Sequence, residues 1–317
     1  MMSRVSDTGS FVISLDTELG WGTFDVEGFG PDDYDGTRGV IRRLVELFDE
    51  HEVPATWAVV THILRDCRTN RDVHPDSDQT GWYDTLPCRT GMDEESWYEP
   101  ELIDWIRNTS VDHDIGSHTH THLVAPEHDA KTVSRDLKRS VSVIEDGEKR
   151  VRSFVFPRNR IAHRDRIRDA GIEVIRGRDA RWFESPTVPK ALSRVARLVE
   201  EAAKLTPPTV IPRERAGLVE LPGSQVFRPD HGGWEYTPNE SQLDRAIAGL
   251  NRAAETGEIF HLWFHPFNLV RDPDFLLELL NGVLGHADTL RDSGRLDIQT
   301  MAAVAEDYRN GRWVSLE

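Results

Sequence analysis

The chain has 317 residues, of which 38% are apolar and 29% charged, a globular composition with enough length for a substantial core in one or two domains. No apolar run approaches the ~18–20 residues that a membrane span needs. A formal net charge of −17 argues against nucleic acid or an anionic membrane surface as a partner.

The basic residues are unusual in kind. Only five of the 38 are lysines (131, 138, 149, 190 and 204), and the rest are arginine. A carboxylate-rich, lysine-poor surface resembles those of proteins from salt-loving archaea. At molar salt the Debye length is only ~3 Å, so like charges hardly repel. Thermal unfolding is therefore expected at a higher temperature in molar KCl than in dilute buffer. Equal midpoints in the two conditions would remove this reading. The opening residues MMSRVSDTGSFVISLD lack the long apolar core of a signal peptide, which gives a cytoplasmic location as the expectation. Cys67 and Cys88 have no CxxC spacing and read as free thiols.

Short apolar runs alternate with amphipathic helical stretches. FVISLD (11–16) reads as a strand, and Gly39 to Glu50 as a helix with Val40, Leu44, Leu47 and Phe48 on one stripe. ATWAVV (55–60) is the next strand. Residues 62–100 are polar and broken by Pro75, Gly81, Pro87 and Gly91. An excursion of this length is expected to be functional or a lid. A short helix over Glu101–Asn108 leads into HDIGSHTH (113–120). A helix over Asp129–Glu145, a strand SFVFP (153–157), a helix Arg164–Ala170 and a strand EVIRG (173–177) follow. Residues 189–204 read as helix, 205–217 as a proline-rich loop, and LVELP (218–222) as a strand. A helix over 241–256 precedes the strand EIFHLWFHP (258–266), and Phe275–Leu290, RLDIQT (295–300) and Met301–Arg309 close the chain as helix, strand and helix. This makes seven or eight β/α units with no composition break, hence a parallel sheet, open or closed, with functional groups just past the C-terminal ends of strands.

Three windows end strands. SLDTELGWG (14–22) carries Asp16 and Glu18, which strand alternation places on one face. GSHTHTHL (116–123) carries His118, His120 and His122, and FHLWFHPF (260–267) carries His261 and His265. Two imidazoles and a carboxylate suit a catalytic divalent metal with positions open for water and substrate. His118 and His122 converge if the segment turns helical after the strand; His118 and His120 converge if it stays extended.

These windows resemble the polysaccharide deacetylases, the NodB-homology family within carbohydrate esterase family four. His118-Thr119-His120-Thr121-His122 matches that family's H-[ST]-x-x-H motif. SLDTELGWG resembles its variant first motif, SFVFPRN its proline-rich third motif, and FHLWFHPFN offers its strand-end histidine, His265. The resemblance spans about residues 10 to 300. It implies a distorted (β/α)7–8 barrel of parallel strands in a single catalytic domain, interrupted at 62–100. It implies Asp16 as general base and His265 as general acid, with Glu18, His118 and His122 as ligands of a divalent ion, zinc first and Co2+, Mn2+ or Ni2+ otherwise. Thr17, between the two acids, leaves it open which of them binds the metal. The motif's arginine is expected at Arg158, supporting the catalytic groups, with Arg152 further upstream. The implied reaction is hydrolysis of an N-acetyl amide on a carbohydrate or sugar conjugate. An imidazole titrating near neutrality suits protonation of the departing amine. Trp21, Trp263 and Phe264 are candidates for a sugar-stacking wall, with core packing as the alternative, and His120 for a substrate contact. His261 reads as a core residue or one supporting the site, and Glu220 either reaches the pocket or stays exposed. The alternatives are another carbon–nitrogen hydrolase on the same scaffold, which metal content separates, and an inactive glycan-binding member, against which Asp16 and His265 argue.

Overall fold

The computed structural model describes residues 8–26, 34–64, 81–86, 94–145, 149–185 and 187–313. Cys67, Cys88 and most of the 62–100 stretch fall outside these residues. The strands are β1 (Gly9–Thr17), β2 (Thr56–Val59), β3 (Asp114–Ser117), β4 (Ser153–Phe154), β5 (Val174–Gly177), β6 (Arg213–Arg215), β7 (Leu218–Pro222), β8 (Gln225–Val226), β9 (Ile259–Phe264) and β10 (Leu296–Gln299).

They form one sheet in the order β6-β7-β5-β4-β3-β2-β1-β9-β8, with β10 added beside β1. β7 and β8 are two ends of one stretch, parted only by Gly223 and Ser224. β7 pairs with β5 and β8 with β9, so the sheet curls round on itself into a distorted α/β barrel. Every pairing in that ring is parallel; the β6–β7 hairpin and an isolated bridge from Val210 to Ile259 are antiparallel. β10 takes the flank of β1 at Gly9–Val12, whereas β2 takes the same flank at Ser14–Thr17. This wedge splays the barrel at the N-terminal ends of its strands.

The two faces of β1 explain its continuous burial. Phe11, Ile13 and Leu15 face outward and pack under the helices Thr37–Glu50, Ser241–Thr256 and Pro273–Asp292. Val12 faces inward, with Ala58, Val155, Val174 and Leu221, above the C-terminal helix Met301–Arg309. Ser14 and Asp16 continue that inner face toward the barrel mouth, where apolar packing gives way to polar contacts. One helix departs from the pattern. Lys190–Ala202 leaves Leu192, Val195 and Val199 about half exposed, at 48%, 56% and 57%. Among the described residues, no helix is long and apolar enough to cross a membrane.

Candidate metal centre and active site

The register of the strands brings the three sequence windows to one level. Ser14 pairs with Trp263 and Leu15 with Phe264, so His265 emerges beside Asp16. Val59 pairs with Ser117, and the His118 amide then donates to Val59 O at 2.9 Å. Asp16, Glu18, His118 and His265 thus leave adjacent strand ends of a parallel barrel, where such folds build their sites.

Glu18, His118 and His122 are all buried, and one potential ligand atom from each lies within 4.8 Å of the others. Glu18 Oε2 is 3.1 Å from Nε2 of both histidines. Donors about 3.3 Å apart are what a tetrahedral ion with bonds of about 2.05 Å requires. His118 Nδ1 lies 2.9 Å from Val155 O, a pure acceptor. Nδ1 therefore carries the hydrogen and Nε2 turns a lone pair to the cluster, the arrangement in which a second contact orients a metal-binding imidazole. The residues fit a divalent ion. Gly22 permits the pose of Glu18, because a Cβ at position 22 would lie 2.1 Å from Glu18 Oε1.

The histidines do not converge through a helix. β3 stops at Ser117, and the chain instead takes left-handed conformations at Thr119 (φ 68°) and His122 (φ 56°). Buried Asp136 holds this loop: its Oδ1 accepts from the His120 amide and its Oδ2 from Thr121 Oγ1, each at 2.6 Å. Burial pushes the Asp136 carboxyl up to about 6 despite these donors. Asp136→Ala strands two buried donors, and about 1–3 kcal/mol per donor is the expected loss. Chemical denaturation should show it, together with weaker metal retention; an unchanged midpoint would separate Asp136 from the loop's stability. Gly116, inside β3, is required by close strand packing: a Cβ there would sit 2.8 Å from Ser153 O on the neighbouring strand.

Asp16 stands outside the three-residue cluster. Arg176, from β5 across the barrel, grips it with Nη1–Oδ1 at 2.6 Å and Nη2–Oδ2 at 2.5 Å. Burial favours the neutral acid, but the Arg176 charge, followed by His118 and His265, outweighs it and holds the Asp16 carboxyl below its ordinary range. At Glu18 burial is again overcome, chiefly by His265 and His122, and the carboxyl lies well below its ordinary range. His265 Nε2 is 3.6 Å from Asp16 Oδ2 and 3.4 Å from Glu18 Oε1. Its side chain is 24% exposed against 1–4% for Asp16, Glu18, His118 and His122, so it is the member of the group that faces the opening.

Beneath Asp16, Ser14 Oγ accepts from Arg176 Nη1 at 3.2 Å and lies 2.8 Å from His261 Nε2. Burial and then the Arg176 charge push the His261 imidazole down to about 3, so it is neutral. Its Nδ1 donates to Pro222 O at 3.0 Å and its Nε2 accepts from Ser14. His261 is thus a buried support of Arg176 and Ser14. Asn159 Oδ1 accepts from Arg176 Nη2 at 3.1 Å, and the Trp263 ring lies over the guanidinium at 4.3 Å.

Several sequence expectations are corrected. Arg158 does not reach Asp16. It adopts a left-handed conformation (φ 57°) and pairs with Asp25 at 2.5 Å, one-third exposed. The arginine on Asp16 is Arg176, whose one sequence signal is a cation inside the apolar strand run EVIRG, where burial demands a carboxylate partner. Trp21 is no sugar wall: it is fully buried, edge-on to His62 and Trp97. His120 is equally buried, with its ring 2.8 Å from Thr61 Oγ1 and 3.2 Å from His62 Nδ1, so it is closed to substrate. Phe264 packs in the core, the alternative that the sequence had offered for it. Glu220 pairs with Arg164 at 2.9 Å and lines a different cavity from His265. Trp263 does line a cavity with His265, and its indole donates to Asp179 Oδ1 at 2.9 Å.

Residues 23–175 match the family model for polysaccharide deacetylase. That span contains His118 and His122 and lies between Glu18 and Arg176 in the chain. No curated protein matches the sequence. Among solved structures, the fold is similar to a Mycobacterium smegmatis protein assigned to the polysaccharide deacetylases, at 16% identity and a TM-score of 0.62, covering 100% of this chain and 96% of that one. A Pseudomonas aeruginosa PAO1 protein assigned to the same group is similar at 10% identity and TM-score 0.58, with coverage of 96% and 92%. The Puue allantoinase is similar at 10% identity and TM-score 0.60, with coverage of 99% and 94%. Residues 23–175 are thus similar to the polysaccharide deacetylases, and the distorted parallel barrel is the fold of the solved structures that the chain resembles.

Proposed function

We propose that this chain is a divalent-metal-dependent hydrolase that removes an acetyl group from the nitrogen of an amino sugar. The observation that carries this reading is the convergence of Glu18, His118 and His122 beside a separate carboxylate, Asp16, and an accessible imidazole, His265. An ion held by the first three residues, zinc foremost for a two-histidine, one-carboxylate set, would supply Lewis acidity toward the acyl oxygen and the attacking water.

The chain's own residues perform the proton transfers. Asp16, kept ionised and fixed in orientation by Arg176, accepts a proton from water as the water oxygen bonds to the acyl carbon. His265, at the open side of the group, gives a proton to the sugar nitrogen as the carbon–nitrogen bond breaks. Acetate and the free amine leave. Trp263 offers an apolar ring beside His265 against which a sugar face packs.

Acetate release from N-acetylhexosamine substrates is expected with Zn2+, Co2+ or Mn2+ and lost after chelation. His118→Ala should abolish both metal retention and turnover. A folded, metal-loaded protein that releases no acetate from several such substrates would rule this reading out.

A further inference from the structure

The cavity that contains His265 carries a charge opposite to that of the protein. Its volume is about 690 Å3, and seven of its lining residues are arginine or lysine against two carboxylates. The whole chain stands at −17. Four of the seven cations are already neutralised: Arg158 by Asp25, Arg160 by Glu127, Arg197 by Glu184 and Arg228 by Glu201. Arg178, Lys190 and Arg194 remain, and among the described residues none of them has an ion-pair partner.

These three residues come from two elements that meet at the cavity. Arg178 follows directly on β5, two residues past Arg176. Lys190 and Arg194 stand one turn apart at the start of the helix Lys190–Ala202, with Ser193 on the same wall. In a chain so rich in carboxylates, three uncompensated cations around one concave space mark a place built for an anion. Arginine forks and a lysine ammonium suit phosphate oxygens. Arg178 also borders an adjoining cavity of about 640 Å3, where Arg164 and Arg215 pair with Glu220 and Arg213 adds a further cation, so the space beside Arg178 extends beyond the room one sugar needs.

We propose that the amino sugar hydrolysed beside His265 carries a phosphate or diphosphate, and that Arg178, Lys190 and Arg194 bind it. The inference rests on the amide-hydrolysis reading for its sugar, but not for its anion. A nucleoside diphosphate sugar and a lipid diphosphate sugar share this chemistry.

Two measurements decide it. Calorimetric titration of metal-free protein with inorganic diphosphate should show one site per chain, weakened by about tenfold or more in the triple variant Arg178→Ala/Lys190→Ala/Arg194→Ala. All three side chains are exposed, so the variant is expected to fold, and circular dichroism checks it. No binding to the wild type, or equal binding to both proteins, overturns the proposal. In the second measurement, kcat/KM for acetate release is compared among nucleoside diphosphate-linked, polyprenyl diphosphate-linked and uncharged N-acetylhexosamine. A preference of about tenfold or more for either diphosphate supports the proposal and names its source, whereas equal or better turnover of the uncharged sugar overturns it. Acetate release that fails on every substrate defeats the hydrolase reading alone, because the diphosphate titration needs neither metal nor turnover.

Discussion

Asp16→Asn is expected to lower kcat by about 10²–10⁴-fold, the usual worth of a positioned general base, while the protein still binds one metal ion per chain. The prediction follows from the separation of the two acids. Glu18 Oε2 is 3.1 Å from both imidazole Nε2 atoms, whereas both Asp16 oxygens are engaged by Arg176. The amide keeps the shape of the carboxylate and one acceptor for the guanidinium but cannot take up a proton at neutral pH. Metal content by mass spectrometry and acetate release, measured on the same preparation, read the two consequences separately. Glu18→Gln should give the converse pattern, losing the ion first and activity as a result. If Asp16→Asn lost the metal and Glu18→Gln kept it, the two acids would have to exchange roles, the choice that Thr17 left open in the sequence.

The parts of this site that were legible in the sequence are those encoded by local pattern. Strand alternation put Asp16 and Glu18 on one side, and the strand-end positions of the histidine windows carried His118, His122 and His265 to the same barrel mouth. The path between the two histidines was not legible, because it depends on left-handed residues at Thr119 and His122, for which neither side chain is a strong signal. Their conformation is held by Asp136, which arrives from a helix after the loop and is invisible to any window around the motif. Trp21 illustrates the opposite error. An aromatic next to a catalytic motif suggests a sugar platform, but Trp21 turns inward against His62 and Trp97. The short strands β6 and β8 were missed because three and two residues carry no periodicity; they exist only through pairing with β7 and β9. Yet β8 is what lets the barrel close.

Arg176 is the residue whose loss should do most damage to both fold and turnover, and Arg158, its nearest rival by motif, should do little to either. Arg176 and Asp16 form an ion pair with side chains 1% and 4% exposed. Removing one member of such a pair leaves a buried charge without a partner, at a typical cost of about 3–5 kcal/mol. Arg158 and Asp25 are 34% and 32% exposed, and a pair that open to water is worth about 0–1 kcal/mol. Arg176→Met is therefore expected to lower the unfolding free energy by the larger amount and to collapse kcat, since Asp16 loses its orientation and its ionised state is no longer favoured. Arg176→Lys should recover little, because one ammonium cannot reproduce two parallel contacts to Asp16 with further ones to Ser14 and Asn159. Arg158→Ala should keep kcat within a few-fold and act, if at all, on KM through the cavity it lines with His265. The double variant Asp16→Asn/Arg176→Met separates stability from chemistry. With both charges gone, no buried charge is stranded, so it should unfold at a higher denaturant concentration than Arg176→Met alone while remaining as inactive. A double variant no more stable than Arg176→Met would mean that Arg176 supports the barrel through Ser14, Asn159 and Trp263 rather than through its hold on Asp16.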